Sequence, residues 1–347
     1  MYIKKILLII AIVGIVVCGI FAYTVYGAIF SPNTAFDNDE AYLFVASDAT
    51  FDDVKNDIAP LLEDVDAFVS VANRKGYTQN IKSGRFVIKK GMSNNDIINT
   101  IRISNTPVKI AFNNQERVEN LAGRIATQIE TDSLSLLLAM KDPNFLKANG
   151  FTDQTALTMY IPNSYELFWN TSADDFRDRM LKEHKRFWND TRKAKAKLLK
   201  LTPQEVYTVA SIVQKETAKV EERPRVAGVY LNRLKKGIKL DADPTIIYAM
   251  KNKANDWDMV VKRVLYKDLE TDSPYNTYRN AGVPPGPIFM PDISSIDAVL
   301  NAEKHGYYYF VADVERFGYH KFAKTLSQHN ANSAAYKRWI SRQGVRR

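Results

Sequence analysis

Hydrophobic and polar positions divide the chain into three regions. An uncharged apolar run extends from Ile6 to Phe30. From Leu43 to Asn105 two helical patterns flank a strand-like segment, and from Pro107 onward helical and strand-like segments are interspersed without regular alternation. No glycine fingerprint for a dinucleotide follows a strand. The pattern therefore predicts an α+β fold.

The apolar run is long enough to cross a bilayer as a helix, which takes roughly 20 apolar residues. A cleavable signal peptide has a shorter apolar core and a small-residue cleavage site, so the run is predicted to remain as a single-pass anchor. Lys4 and Lys5 precede it, and the first acid, Asp37, follows it. The positive-inside rule then places the N-terminus in the cytoplasm and the chain from about Ser31 onward outside.

The hydrophobic patterns also predict the helices, the strands and the domain boundaries. Helices are predicted at "DDVKNDIAPLLEDVDAFVSVAN", at "SNNDIINTIRIS" behind a cap at Ser93 and Asp96, at "ERVENLAGRIATQIE" and at "SQHNANSAAYKRWISR". Strands are predicted at "GRFVIKK", "VKIAFNN", "GYYYFVAD" and "GYHKF". The predicted limits are residues 1–5 for a tail, 6–30 for the membrane helix, 31–42 for a linker, 43–105 for a small module and 106–347 for a larger domain.

Composition narrows the classes of function. The 347 residues, 46% hydrophobic and 25% charged, are typical of a globular protein of two or three domains. Cys18 is the only cysteine, which excludes an intrachain disulfide and a cysteine-based metal site. The net charge is +9, and much of it lies between Arg177 and Lys200. An external domain rarely meets nucleic acid, so this stretch is either a solvated helix face or an attraction to a membrane surface or acidic envelope polymer.

One acid, Glu216, ends a strongly helical pattern. Thr202, Pro203 and Glu205 form an N-cap, a first-turn proline and a capping-box acid, so a helix is predicted to begin there. At 100° per residue Glu216 falls about 20° from Val209, at the edge of the apolar stripe. Burial there would raise the pKa of its carboxyl, as a general acid near neutral pH requires. A helix-end glutamate that turns outward to solvent is the alternative.

The next helix is predicted from about Pro224 to a C-cap at Gly237, and Asp243 is predicted to cap the helix after it. Asn232 and Arg233 lie near the end of the first of these helices. Asn232, Arg233 and Asp243 are interpreted either as parts of a capped turn and a surface cation, or as hydrogen-bonding partners of a polar substrate or of Glu216.

Other parts of the chain give less decisive chemistry. The stretch "SPYNTYRNAGVPPGPI" has no helical or strand period, and its tyrosines suit either a sugar-binding cleft or a rigid surface loop. The four histidines, among them His320 and His329, show no metal-ligand spacing and no serine in a nucleophile context.

Six blocks in order, "ASIVQKET", "ERPRVAGVYLNRL", "LDADPTIIYAM", "SPYNTYRNAGVPPGPI", "YYYFVAD" and "GYHKFAKTLSQHN", resemble the endolytic murein transglycosylase (YceG-like) family. The resemblance covers the chain from the anchor through a small LysM-like α/β module to the C-terminus. It implies a mixed α+β catalytic domain at 106–347. One departure is "YIPNSY", where Asn163 stands in place of the aspartate that the family often has. A turn or capping role remains for Asn163, whereas a charged role does not.

The resemblance implies a lyase that cleaves the bond between N-acetylmuramic acid and N-acetylglucosamine within nascent glycan strands of peptidoglycan and leaves a 1,6-anhydromuramic end. Glu216 matches the catalytic glutamate and would serve as both acid and base, without metal or cofactor. Implied partners are glycan strands, the inner membrane and penicillin-binding cell-wall synthases, with no nucleic acid. The matched blocks contain the implied substrate-binding residues Asn232, Arg233, Asp243, Thr245, Tyr248, Tyr275, Asn276, Thr277, Tyr278, His320, His329 and Asn330.

Two other functions remain open from the residues. A hydrolase of the same polymer would pair Glu216 with a water-activating carboxylate at Asp241, Asp243 or Glu222. A non-catalytic anchor would bind glycan and recruit cell-wall synthases.

Overall fold

The computed structural model describes residues 2–342 of the chain. Residues 1 and 343–347, which belong to the predicted tail and to the end of the predicted larger domain, lie outside this range. The α-helices are α1 (Tyr2–Phe30), α2 (Phe51–Ile58), α3 (Val65–Arg74), α4 (Asn94–Ile103), α5 (Val118–Ala126), α6 (Ser133–Met140), α7 (Pro143–Ala148), α8 (Ala173–Phe187), α9 (Asp190–Leu198), α10 (Pro203–Glu216), α11 (Arg223–Lys236), α12 (Asp243–Ala254), α13 (Ile293–Leu300) and α14 (Leu326–Arg342).

The strands are β1 (Glu40–Val45), β2 (Gly84–Lys89), β3 (Val108–Phe112), β4 (Asn163–Leu167), β5 (Tyr309–Ala312) and β6 (His320–Ala323). They form two-stranded sheets that pair β1 with β2, β3 with β4 and β5 with β6. Short 3₁₀ turns lie at Ala59–Leu61, Tyr77–Gln79, Ala156–Met159, Val220–Glu222 and Tyr266–Glu270. The fold is mixed α+β, as the pattern predicts.

The chain forms two compact units. The first runs from the N-terminus to Ile110 and also includes Thr127–Thr131 and Tyr165–Ser172. The second contains Ala111–Ala126, Asp132–Ser164 and the chain from Ala173 to the C-terminus.

In the first unit, α1 has the length and composition to cross a membrane, none of its residues is fully buried, and Ile29 near its end packs against the core of the unit. A β-α-α-β arrangement follows, in which β1 and β2 pair antiparallel with Leu43 opposite Phe86. Inward-facing residues of both strands join those of α2, α3 and α4 in one core around Phe68 and Ile97. The LysM-like character of this module stays a prediction.

Two features of the first unit differ from the expected ones. The first long helical pattern breaks into α2 and α3 because Pro60 lies between them in a 3₁₀ turn. The predicted linker is also fixed in place. Its Asn33 side chain is buried and hydrogen-bonds to Asn94 Oδ1 at 2.7 Å, and β1 begins at Glu40, before the predicted limit of residue 42.

The second unit is built around α10, which packs against α9, α11, α12 and α13. Residues 206–213 of α10 are all buried, so the helix is enclosed on every side, whereas the pattern predicts a one-sided stripe. Its polar side chains are satisfied inside the core. The Ser211 hydroxyl donates to Thr208 O at 2.6 Å and accepts from Ile288 N at 3.1 Å. Polar residues whose hydroxyls find partners inside the core make a central helix look one-sided in the sequence.

Helix ends in this unit follow the predicted signals, with one exception. The capping box of Thr202 and Glu205 is present, and Gly237 caps α11 in the left-handed conformation, at φ 67°. The predicted cap at Asp243 is wrong. Ala242 occupies the cap position of α12 without a side-chain bond, and Asp243 is the first helical residue. Its carboxylate instead accepts a hydrogen bond from Tyr278.

Candidate active site

Glu216 is the last residue of α10, and its side chain is partly buried. The Tyr230 hydroxyl, from α11, donates a hydrogen bond of 2.7 Å to Glu216 Oε1. Burial, the largest influence, raises the pKa of the Glu216 carboxyl to about 7, and the charge of Asp243 acts in the same direction. The Tyr230 hydrogen bond and the charge of His320 act to lower this pKa but do not outweigh burial. At neutral pH this carboxyl exists in both protonation states. It can therefore give up a proton and take one back.

Tyr230 is a rigid donor to Glu216. Its side chain is buried, and its ring meets that of Phe310 on β5 edge-on at 6.0 Å. Burial, followed by the nearby Glu216 charge, raises the pKa of Tyr230 well above its ordinary value. The phenol therefore keeps its proton and stays a hydrogen-bond donor.

A second carboxylate, Glu222, holds His320. His320 Nδ1 lies 2.8 Å from Glu222 Oε2, and the His320 backbone N–H donates to Oε1 at 2.8 Å. The Thr217 hydroxyl, one residue after Glu216, donates to the same carboxylate at 3.1 Å. Burial alone would raise the pKa of Glu222, but the hydrogen bonds from His320 and Thr217 outweigh it and keep that pKa below its usual value. The ionised Glu222 thus fixes His320 at the edge of the Glu216 site.

A third pair consists of Asp243 and Tyr278. The Tyr278 hydroxyl donates to Asp243 Oδ1 at 2.6 Å, and Asp243 is exposed. Burial, together with the bond to Asp243, raises the pKa of Tyr278. Because the charge of Asp243 influences Glu216 and that of Glu216 influences Tyr278, the three groups share one site.

The structure assigns other contacts to Asn232 and Arg233. The Asn232 amide donates to His305 O at 2.9 Å and to Tyr307 O at 3.0 Å. The buried Arg233 guanidinium donates to Tyr308 O at 2.6 Å and makes further bonds within 239–241. These two side chains hold the segment before β5 against the end of α11, and substrate binding by them stays a prediction.

Residues of the tyrosine loop also support one another. Thr245 and Thr277 are buried with their hydroxyls 2.8 Å apart, and the Asn276 amide donates to Leu269 O and Thr271 O at 2.8 and 2.7 Å. These bonds position Tyr278 beside Asp243. Tyr275 and Tyr248 pack together with ring centroids 4.7 Å apart and line a cavity of about 430 Å³.

The remaining predicted residues lie elsewhere in the second unit. His329 on α14 stacks on Tyr309 at 5.3 Å, and burial lowers the pKa of its imidazole. Asn330 is exposed on the same helix. Asn163 is exposed at the start of β4, where its side chain accepts from Ser164 N at 2.8 Å, so it begins a strand rather than capping a helix.

Sequence reasoning missed the roles of Tyr230 and Thr217. Tyr230 lies within the helix predicted from about Pro224 to Gly237, where no functional role is predicted for it, although a tyrosine hydroxyl that becomes buried needs a hydrogen-bond partner. Among the described residues no group of three or more histidine, cysteine or acidic side chains is arranged to hold a metal ion.

Comparison with known proteins assigns the family. The family model described as "YceG-like family" matches residues 43–335. The chain belongs to the YceG-like family. The chain is 30% identical, over 81% of its own length and 79% of the relative's, to a Bacillus subtilis protein named endolytic murein transglycosylase. A Streptococcus pneumoniae protein of the same name is 27% identical over 78% of the chain, which spans about half (53%) of that relative.

A solved structure agrees with this membership. The crystal structure of a YceG-like protein from Listeria monocytogenes superposes with a TM-score of 0.55 and 26% identity, covering 85% of this chain and 99% of the other. Glu216, Tyr230, Glu222, Asp243, Tyr278 and His320 all lie within the range that the YceG-like family model matches.

Proposed function

We propose that the protein is a membrane-anchored endolytic murein transglycosylase, which cleaves the muramic acid to glucosamine bond within peptidoglycan strands and leaves 1,6-anhydro ends. The observation that carries the proposal is the Glu216 carboxyl, whose pKa of about 7 and bond to Tyr230 suit proton transfer in both directions. The names of the relatives in Bacillus and Streptococcus support the same activity.

The proposed reaction needs one acid. Protonated Glu216 donates its proton to the glycosidic oxygen as the bond to the anomeric carbon breaks, and the carboxylate that forms is stabilised by the Tyr230 hydroxyl. The carboxylate then removes the proton from the 6-hydroxyl of the muramic acid, and that oxygen attacks the anomeric carbon. The proton returns to Glu216, and no water is consumed.

The contacts of the other carboxylates argue against a two-carboxylate hydrolase. Glu222 is occupied by His320 and Thr217, and Asp241 is paired with Arg233 at 2.8 Å. Asp243 accepts from Tyr278 but is exposed, so it remains the candidate to exclude by experiment.

The proposed function includes a single-pass membrane topology. α1 would cross the cytoplasmic membrane once, with Lys4 and Lys5 inside and the rest of the chain outside, where peptidoglycan lies. The association with penicillin-binding synthases that the resemblance implies stays a prediction.

Product analysis tests the activity. The full-length protein in detergent is expected to release fragments with 1,6-anhydromuramic ends from purified peptidoglycan, as measured by mass spectrometry. Ends heavier by one water would instead identify a hydrolase, and an Asp243→Asn variant would then show whether Asp243 activates that water. Binding of peptidoglycan without any released fragment would identify a non-catalytic anchor.

The pH dependence tests the proton donor. Because protonated Glu216 starts the reaction, kcat/KM is expected to fall as pH rises through about 7. The Tyr230 hydrogen bond favours the ionised carboxylate, so Tyr230→Phe is expected to raise the pKa of Glu216 and move this alkaline limb to higher pH. A limb that stays in place, or moves to lower pH, would show that Glu216 is not the group that titrates.

A further inference from the structure

The cavity of about 430 Å³ in the second unit has no part in the bond-breaking step described above. Its wall combines three aromatic side chains, Tyr248, Trp257 and Tyr275, with prolines and with charges of both signs. Tyr248 packs against Trp257 at 5.3 Å and against Tyr275 at 4.7 Å, so the apolar part of the wall is one continuous cluster.

The charges in the wall form a tight chain. Lys141 lies 2.9 Å from Asp153 and 3.2 Å from Glu119, and Glu119 is 3.7 Å from Arg117. The Arg117 guanidinium in turn covers the Trp257 ring at 4.2 Å. A ligand with both an amine and a carboxylate finds a partner of opposite charge for each group in such a wall.

Two donors in this wall lack acceptors. Arg117 Nε and Trp257 Nε1 are buried and have no hydrogen-bond partner in the described part of the chain. A buried N–H without an acceptor is costly, so an incoming carbonyl or carboxylate oxygen would relieve the cost at two points. A ligand with acceptor oxygens on the Arg117 side of the cavity would supply both missing partners.

The cavity wall is linked to Glu216 through Lys215, the residue that precedes Glu216 at the end of α10. Lys215 Nζ lies 3.5 Å from the centre of the Phe289 ring, and Phe289 follows Pro287 of the cavity wall by two residues. This contact joins the cavity wall to the helix end that carries Glu216.

We propose that the cavity binds the peptide that murein carries on its muramic acid residues, with Arg117 and Trp257 donating to its carbonyl or carboxylate oxygens and Glu119 and Asp153 facing its amine. This inference rests on the proposed function for its substrate. The cavity would make cleavage depend on the peptide next to the broken bond, so that strands with and without peptides are cut at different rates.

The test compares two substrates with the full-length protein in detergent. One is a set of glycan strands that carry their peptides, and the other is the same set stripped by an amidase. Wild type is expected to cleave the first with a kcat/KM about tenfold higher, as one charge-assisted hydrogen bond would give. Arg117→Met keeps the aliphatic cover on Trp257 but removes the donors, and it is expected to bring the ratio to about one. Lys147→Ala, an exposed lysine outside the cavity, is the matched control and should keep the wild-type ratio.

Two results would overturn the inference: equal cleavage of both substrates by wild type, or an equal loss on both substrates in Arg117→Met. The second result would assign the cavity to sugar units. If neither substrate yields anhydro ends, the proposed function is contradicted instead. The peptide-binding inference is then tested by titrating the free peptide into the Glu216→Gln protein and measuring its affinity. Binding that weakens about tenfold on adding Arg117→Met supports the inference, and absence of binding refutes it.

Discussion

The Glu216→Gln variant is expected to release no detectable anhydro-ended product from purified peptidoglycan. Glutamine matches the shape of glutamate and can still accept from Tyr230, but it has no proton of the required acidity to give to the leaving oxygen. Loss of a general acid that also acts as the base costs about 10²–10⁴-fold in rate. The measurement is the yield of anhydromuramic ends by mass spectrometry, with wild type and variant at equal concentration. Unchanged product would contradict the assignment of Glu216.

The control for this variant is Glu221→Gln. Glu221 lies five residues after Glu216, and its exposed side chain is hydrogen-bonded to Tyr319 and not to Glu216. The same change from glutamate to glutamine is therefore made outside the site. Its activity is expected to match wild type. If both variants lost activity, the loss would reflect a general effect of charge removal in this segment.

Stability provides a second check that Glu216→Gln still folds. The pKa of Glu216 is raised in the folded protein to about 7 from its ordinary value of 4.5, so the folded state binds more protons than the unfolded state between these pH values. Wild-type stability contributed by this group is therefore present below pH 4.5 and is lost as pH rises through about 7. Glutamine cannot ionise and avoids this loss. The variant is expected to unfold at the same temperature as wild type or a higher one at pH 8.

The sequence predicts the location of Glu216 well because the relevant signals are local. A capping box starts α10, a periodic apolar stripe runs along it, and the acid sits at the stripe's edge. Those signals act within one helix. These local signals could not show that α10 is buried on every side. Hydroxyl-bearing residues such as Ser211 look solvent-facing in the sequence, and their partners lie in other segments of the chain.

The side chains around Glu216 are held by hydrogen bonds between residues that are distant in sequence. Glu222 and His320 are 98 residues apart, and Tyr278 reaches Asp243 across 35 residues. No period or cap relates such positions, so the sequence supplies the residue types but not the pairing. The same limit explains the wrong cap at Asp243: a carboxylate before a proline fits a local cap, but the Tyr278 hydroxyl competes for it.

Arg233 is predicted to bind substrate, and the structure shows that its guanidinium is also bonded to the fold. Its guanidinium donates to four acceptors, which are Tyr308 O at 2.6 Å, Asp241 Oδ2 at 2.8 Å, Lys239 O at 2.9 Å and Leu240 O at 3.0 Å. It is 7% exposed, so water has little access to replace these bonds. The Asp241 that it holds has a left-handed backbone, at φ 50°, a conformation that needs support from its surroundings.

Arg233→Ala is therefore expected to lower the free energy of unfolding by about 1–3 kcal/mol, the usual cost of leaving a buried hydrogen-bond acceptor unsatisfied. The carbonyl of Leu240 would remain buried without its donor, the carbonyl of Lys239 would lose the same donor, and the segment that leads to Asp243 would lose its anchor. Denaturant unfolding of the full-length protein in detergent measures the change, and Lys236→Ala, an exposed lysine on the same helix, is the control.

The same variant separates a structural role from substrate binding. If Arg233 holds the fold, the loss of stability appears without substrate, and activity at low temperature falls through displacement of Asp243 and Tyr278 rather than through KM alone. A variant as stable as wild type with a raised KM would instead return Arg233 to the substrate-binding surface. The four hydrogen bonds favour the first result, because they tie both Nε and Nη1 of Arg233 to oxygens of the fold and so fix the position of the guanidinium.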